Sequence, residues 1–440
     1  MRKFSRLCLA GALRSALILV VLAGLFGCQT ASASSSARSF AAGSRLDASS
    51  APRVLTGLDV LQQEGFARLH GRNVAIIANH SSINSEGEHL LDLLVADPNV
   101  NVIAIFSPEH GFRGDADVHI SDGKDEKTGL PIYSLYGDRR VPRDEDLAGV
   151  DTLIFDIQDV GARFYTYSAT LGNCMKKAQE ANLRFIVLDR PNPIQGNWFD
   201  GPIQDDDLVG GFTAFVPMST AHGMTFGELA NLYYNHHDIQ PDLDIVAMKG
   251  WTRDMYFDET GLPWVNPSPN MRSVDEEILY TMVAQTEANK IVSVGRGTDR
   301  PFEYLGAPWI DGDELAANLN ARNLPGLWFM RTTFVPAAND ITGRKNYPYQ
   351  FTGEICHGVR IVVVDRHRVS PVEAGIHMLD ALMEVGGEKY SIDRLRGLVG
   401  AQWVLDALKA GEEPSAIAAR WRTSPEFLAF AARRESALMY

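Results

Sequence analysis

The chain is poor in the features that mark several large protein classes. Its 440 residues include only four cysteines, Cys8, Cys28, Cys174 and Cys356, none with CxxC or zinc-type spacing, so thiol-redox and structural-zinc motifs are absent. No HExxH helix and no GxSxG elbow occurs, which argues against zincin and serine-hydrolase chemistry. There is no extended Lys/Arg run, and the formal net charge is −14, so nucleic acid is not an expected partner. No internal repeat is visible, and no low-complexity segment follows residue 52. What remains is 45% hydrophobic and 22% charged, an ordinary globular composition. At this length it can bury the cores of two or three domains.

The first residues read as an export signal. Arg2, Lys3, Arg6 and Arg14 form a basic region, and Ala16 to Gly27 is an apolar stretch too short for a confident membrane span. It ends Leu25-Phe26-Gly27-Cys28, which resembles a bacterial lipobox with Cys28 as the lipidated first residue of the mature chain. Removing the four basic residues takes the charge from −14 to −18. The expectation is an exported, periplasmic or cell-surface lipoprotein, held to the membrane through its N-terminal lipid alone. Residues 28–53 carry Cys28 and a Ser/Ala-rich tether. Cys174 and Cys356 are left either to form one disulfide or to be buried thiols.

From Val54 onward strands and helices alternate. Strands are predicted at Val74–His80, Val102–Phe106, Leu153–Asp159, Arg184–Pro191 and Leu243–Met248, with helices at Glu88–Ala96, Tyr165–Asn182 and Thr225–His236 between them. This pattern predicts an α/β doubly wound parallel sheet over residues 54–260. The Pro- and Asn-rich stretch Trp264 to Arg272 reads as a crossing. Residues 261–440 are expected to form a smaller α+β domain, with strands at Leu327–Val335 and Gly358–Asp365, a helix from Ser370 to Val385, and a helical tail.

Four strands end in polar or ionisable residues: Asn79-His80, Glu109-His110, Asp156 with Asp159, and Asp189-Arg190. A parallel sheet gathers such ends into one crevice. Glu109 and His110 follow a strand stopped sharply by Pro108 and Gly111, a good place for proton chemistry. Arg163 lies in a Gly- and Tyr-rich stretch, offering a planar fork for a carboxylate beside stacking faces. A second loop, Val294-Gly295-Arg296-Gly297-Thr298-Asp299-Arg300, lacks nucleotide-binding spacing and reads as an anion or sugar contact. Asp115, Asp117, His119 and Asp122 read as a solvated loop, with a metal site as the alternative.

Several of these motifs resemble one known family. Ser107-Pro108-Glu109-His110-Gly111, Asp156 through Tyr167, and Leu188-Asp189-Arg190-Pro191-Asn192-Pro193 are similar to stretches of the bacterial exo-β-N-acetylmuramidase family, long grouped as a domain of unknown function. His222-Gly223-Met224-Thr225, Pro267-Ser268-Pro269-Asn270-Met271, Val294 to Thr298 and Gly306-Ala307-Pro308-Trp309 extend the resemblance toward the C-terminus. It implies a Rossmann-like domain, a smaller C-terminal domain, and an active-site cleft between them. It also implies release of N-acetylmuramic acid from the non-reducing end of peptidoglycan fragments, with Glu109 as catalytic acid; with no recognised ligand spacing in the chain, no metal or cofactor is expected. The chain departs from the family pattern at Ala221, at Thr286 to Val292 and at Ala337 to Phe351.

The resulting expectation is a glycosidase with Glu109, His110, Asp156 and Asp189 in catalysis. His80, Asp159, Arg163, Tyr165, His222, Asn270, Arg296 and Arg300 are expected to bind substrate, a peptidoglycan-derived muramic-acid glycoside. Asp156, Asp159, Asp189 or the substrate's own acetamido group would supply the second catalytic function. Two other readings stand beside it: a metal-dependent hydrolase using His80, His110, Asp156 and His222, and a non-catalytic cell-wall-binding lipoprotein.

Overall fold

The computed structural model describes residues 54–112, 122–337 and 349–440. The export signal, Cys28 and the tether lie outside these residues, as do Asp115, Asp117, His119 and most of the departure between Ala337 and Phe351. Within the described chain, ten strands form two sheets. The larger contains β1 (Asn73–Ala78), β2 (Asn101–Ser107), β3 (Gly123–Lys124), β4 (Pro131–Ser134), β5 (Thr152–Asp156), β6 (Arg184–Leu188) and β7 (Asp242–Val246), in the order β3-β4-β2-β1-β5-β6-β7. All neighbours pair in parallel except β3 with β4. Omitting β3, the parallel strands run third-second-first-fourth-fifth-sixth in chain order, which is the Rossmann arrangement.

The apolar, β-branched interiors of β1, β5 and β6 explain their central place. Ile76, Ile77, Ile154, Phe155, Ile186 and Val187 are fully buried, as strands covered on both faces must be. Covering helices are α1 (Gly57–Gln63), α2 (Leu90–Ala96), α3 (Tyr167–Glu180) and α4 (Phe226–His236). Helix α4 begins with a capping box, in which Thr225 and Glu228 satisfy each other's backbone N–H groups.

Next come α5 (Val274–Val283) and a short 3-10 segment, Ala284–Asn289. The smaller sheet is antiparallel, in the order β8 (Tyr304–Ala307), β10 (Cys356–Val363), β9 (Leu327–Phe334). It packs with α6 (Gly312–Ala321), which in turn packs on α7 (Pro371–Gly386), and the tail forms α8 (Arg396–Val399), α9 (Gln402–Lys409), α10 (Pro414–Arg422) and α11 (Pro425–Ala437). One hydrophobic core runs through both parts, from Phe155 and Phe185 to Leu305, Leu379 and Trp421. Cys174 and Cys356 are buried free thiols, both pushed up in pKa by burial. Among the described residues no helix is long and apolar enough to cross a membrane.

The crevice at the first-to-fourth strand switch, where such sheets often bind ligands, is filled. Asp156 at the end of β5 is fully buried and accepts two hydrogen bonds from Arg190, at 2.5 and 3.0 Å. Arg190 also donates to the Ile83 carbonyl at 2.8 Å. Removing one member of a buried pair strands the other charge. Arg190→Ala is therefore expected to cost about 3–5 kcal/mol in urea denaturation, and replacing both residues with Met and Leu should recover most of that loss.

Candidate active site

The open cavity lies to one side of the filled switch point. It has a volume of about 290 Å³, and its walls include Glu109, His110, Tyr165, Thr166, Asn270, Tyr280, Glu287 and Arg296. Four described parts of the chain build it: the turn after β2, Tyr136 beyond β4, the loop leading into α3, and the stretch from the crossing through α5 to the Gly/Arg loop.

The turn after β2 is strained in a way that serves the site. His110 has φ 71° and Gly111 φ 78°, so a non-glycine residue sits in the left-handed region. The Gly111 N–H closes the turn on the Pro108 carbonyl at 3.2 Å. This holds Glu109 half-buried at the cavity wall. Its Oε2 accepts a hydrogen bond from the Thr166 hydroxyl at 2.7 Å. Its backbone carbonyl lies 3.1 Å from the hydroxyl of Tyr167, which also receives the Asn79 amide at 3.1 Å and lies 3.2 Å from the Pro267 carbonyl.

Aromatic rings close around this carboxyl group. Tyr165 stands edge-on to Tyr167 with centroids 4.6 Å apart, and Phe164 stands edge-on to Tyr280 at 5.2 Å. Burial pushes the Tyr165 phenol well up in pKa, so it stays protonated. On the opposite side Gly295 and Gly297 flank Arg296 with φ 79° and 84°. A side chain at Gly295 would meet the Arg300 carbonyl at 2.7 Å, so the tight loop requires glycine. Arg296 Nη1 lies 3.2 Å from Glu287 Oε1, and its guanidinium lies 5.5 Å from the Tyr349 ring centre.

Of the residues expected from the sequence, Glu109, His110, Tyr165, Asn270 and Arg296 meet in this cavity. The others do not line it, and several serve the fold instead. Asp156 is taken by Arg190. Asp189 is fully buried and accepts from Thr225 Oγ1, the Gly227 N–H and the Tyr440 hydroxyl at 2.7–2.8 Å, with burial raising its pKa to about 7. Arg163 has no exposed surface, and it donates to the backbone carbonyls of Thr213 and Leu398, each at 2.9 Å. This corrects its expected role as carboxylate binder. Asp159 and His222 are buried against each other, Oδ2 to Nε2 at 3.1 Å. His80 lies 2.6 Å from the Asn266 carbonyl. Arg300 is paired with Glu303 at 2.9 Å. Asp122, the described member of the acidic loop, pairs with Arg139.

Of the residues of the metal-hydrolase reading, His80, Asp156 and His222 are taken up by separate partners, and His110 lines the cavity. Among the described residues no group of three or more His, Cys, Asp or Glu side chains could hold a metal ion. Sequence reasoning missed Thr166, Tyr280 and Glu287. Thr166 carried a usable signal in its place beside the Arg163 motif; Tyr280, on a helix the sequence did not show, carried none. Glu287 carried none.

A carboxyl group at a tight turn, facing aromatic rings and an arginine across a small cavity, is an arrangement that a carbohydrate-cleaving enzyme can use. Family models identify which. Residues 74–275 match the N-terminal model of the exo-β-N-acetylmuramidase NamZ and residues 278–440 match its C-terminal model, so the chain belongs to the NamZ family. The peptidoglycan β-N-acetylmuramidase NamZ of Bacillus subtilis (strain 168) is 40% identical over 365 residues, 82% of this chain and 85% of that protein. Two DUF1343 family crystal structures from Bacteroides fragilis NCTC 9343 superpose with TM-scores of 0.80 and 0.72 at 30% and 31% identity. Each covers 88% of this chain and 99% of the other.

Behind the cavity wall, on the same helix as Tyr280, Glu277 has no exposed surface and neither carboxyl oxygen has a donor. Burial raises its pKa well above the usual value, and Asp159 and Glu276 add to this. A raised acid favours folding while it is protonated and loses that advantage as pH climbs above its unfolded value. Glu277→Gln cannot ionise. Its stability relative to the parent should therefore rise by about 1 kcal/mol per pH unit above about pH 4.5, read from melting temperatures between pH 5 and 8.

Proposed function

We propose that this protein is an exo-acting glycosidase that releases N-acetylmuramic acid from the non-reducing end of peptidoglycan fragments during cell-wall turnover. The observation that carries the reading is Glu109, fixed by Thr166 in an aromatic-walled cavity of about 290 Å³. That volume suits one substituted sugar better than a glycan chain. Glu109 gives its proton to the leaving oxygen, and the aromatic walls exclude water and offer the sugar apolar faces. Arg296 is the arginine of the described lining, and a guanidinium can hold the lactyl carboxylate through two hydrogen bonds. That carboxylate separates muramic acid from N-acetylglucosamine.

Glu109→Gln should lower turnover of a muramic-acid glycoside by about 100-fold or more. Arg296→Ala should lower it by roughly 30-fold or more and narrow the preference over the matched N-acetylglucosamine glycoside, since losing a charged partner costs on the order of 2–5 kcal/mol. Steady-state kinetics on the two chromogenic glycosides measures both effects. An Arg296→Ala variant with unchanged preference would move carboxylate recognition elsewhere.

The proposed setting is the cell envelope, with the chain anchored by lipid on Cys28 after export. The basic region and short apolar stretch ending in Leu25-Phe26-Gly27-Cys28 support this. Cys28→Ser should leave the protein soluble or unprocessed when cells are fractionated. A processed variant that still sediments with membranes would refute lipid anchoring.

A further inference from the structure

Glycoside hydrolysis ordinarily needs a second group besides the acid. The three aspartates suggested by the strand ends are committed elsewhere: Asp156 to Arg190, Asp159 to His222, and Asp189 to the start of α4. The described walls of the cavity contain two carboxylates, Glu109 and Glu287. We propose that Glu287 is the second catalytic carboxylate of this site and acts as general base toward water. This inference rests on the glycosidase reading above.

The two carboxyl groups have opposite surroundings, the condition that divides acid from base roles. Glu109 accepts a hydroxyl hydrogen bond from Thr166 beside Tyr165 and Phe164. Glu287 faces the guanidinium of Arg296 through Oε1 at 3.2 Å. Both carboxylates act on one phenol. After burial, Glu287 and then Glu109 are the largest influences that raise the pKa of Tyr280, and all three groups line the cavity. About a quarter of the Glu287 side chain is exposed, which leaves it open to water.

The chemistry balances with these two groups. Glu109 passes its proton to the glycosidic oxygen as the bond from that oxygen to the anomeric carbon breaks, its electron pair going to the oxygen. A water oxygen bonds the anomeric carbon and its proton passes to Glu287. Glu109 ends as carboxylate and Glu287 as acid, and exchange with solvent restores both. Arg296 links this step to substrate choice. A lactyl carboxylate drawn to the guanidinium competes with Glu287 for it and frees the base only when muramic acid is bound.

The test uses the full chain and nitrophenyl and methylumbelliferyl β-glycosides of N-acetylmuramic acid. Glu287→Gln and Glu287→Ala should each lose about 100-fold or more in kcat, by equal factors on leaving groups of different acidity. Azide needs no deprotonation, so it should restore turnover by the Ala variant and give the sugar azide. Glu109→Gln should instead lose less with the more acidic leaving group. If the isosteric Glu287→Gln variant keeps kcat within a few-fold while Glu109→Gln is inactive, Glu287 is not the base and the glycosidase reading stands. If Glu109→Gln is also fully active, the glycosidase reading fails with it. A folded Glu287→Ala variant that is inactive and not rescued by azide would likewise overturn the assignment.

Discussion

The geometry of the cavity depends on the hydroxyl of Tyr167. This buried oxygen receives the Asn79 amide and lies within hydrogen-bond distance of the carbonyls of Glu109 and Pro267. The end of β1, the turn after β2 and the crossing into the second half therefore meet at one atom. A phenol suits this junction because it can both donate and accept while remaining neutral in a buried place. Leaving such a group without partners would cost roughly 1–3 kcal/mol, so the three segments are held together by the penalty for separating them. Glu109 inherits its position from that junction, and the left-handed His110–Gly111 turn is kept in place by the same contacts.

Around this junction the protein divides its ionisable groups between two tasks. Asp156, Asp189, Arg163 and Arg190 are almost wholly buried and hold elements together. Glu109, Glu287 and Arg296 keep partial exposure and face open space. A Rossmann sheet normally leaves its switch-point crevice free for a ligand. Here the Asp156–Arg190 pair plugs that crevice, and the cavity has moved above β2, where the second half of the chain supplies the facing wall.

Much of the fold was legible because apolar, β-branched runs separated by helical periodicity leave few alternatives to a parallel sheet. The short strands β3 and β4 escaped, one being only two residues long and the other opening on Pro131. Helix α5 followed too closely on the Pro-rich crossing to stand out, although Ser273 caps it. The site was only partly legible. Glu109, Tyr165, Asn270 and Arg296 lie in motifs with their own local signal. The strand-end rule could not show that Asp156 and Arg190, 34 residues apart, would consume each other. Arg163 reads as a ligand arginine until the carbonyl of Leu398, 235 residues away, takes its Nη2 group. Glu287 was hidden for another reason: it lies in a short 3-10 segment, inside the stretch Thr286 to Val292 that departs from the family pattern.

The boundary between the two matched family models falls at residues 275–278, inside helix α5, which is no joint at all. Bonds cross it on every side. Arg163 reaches Leu398, Arg434 reaches the carbonyls of His222 and Gly223, and Trp421 and Arg422 both hold Asp200. Each crossing bond pairs a charged or polar donor of one half with an acceptor in the other, so parting the halves would leave Arg163, Arg434 and Trp421 without these partners. The halves cannot be exchanged between relatives like beads on a string. A substitution at Arg163 in the first half changes what is tolerated at Gly400 in the second, where a side chain would meet the guanidinium at 2.7 Å. The two matched regions on either side of α5 therefore share one interior, and each sets the packing conditions of the other.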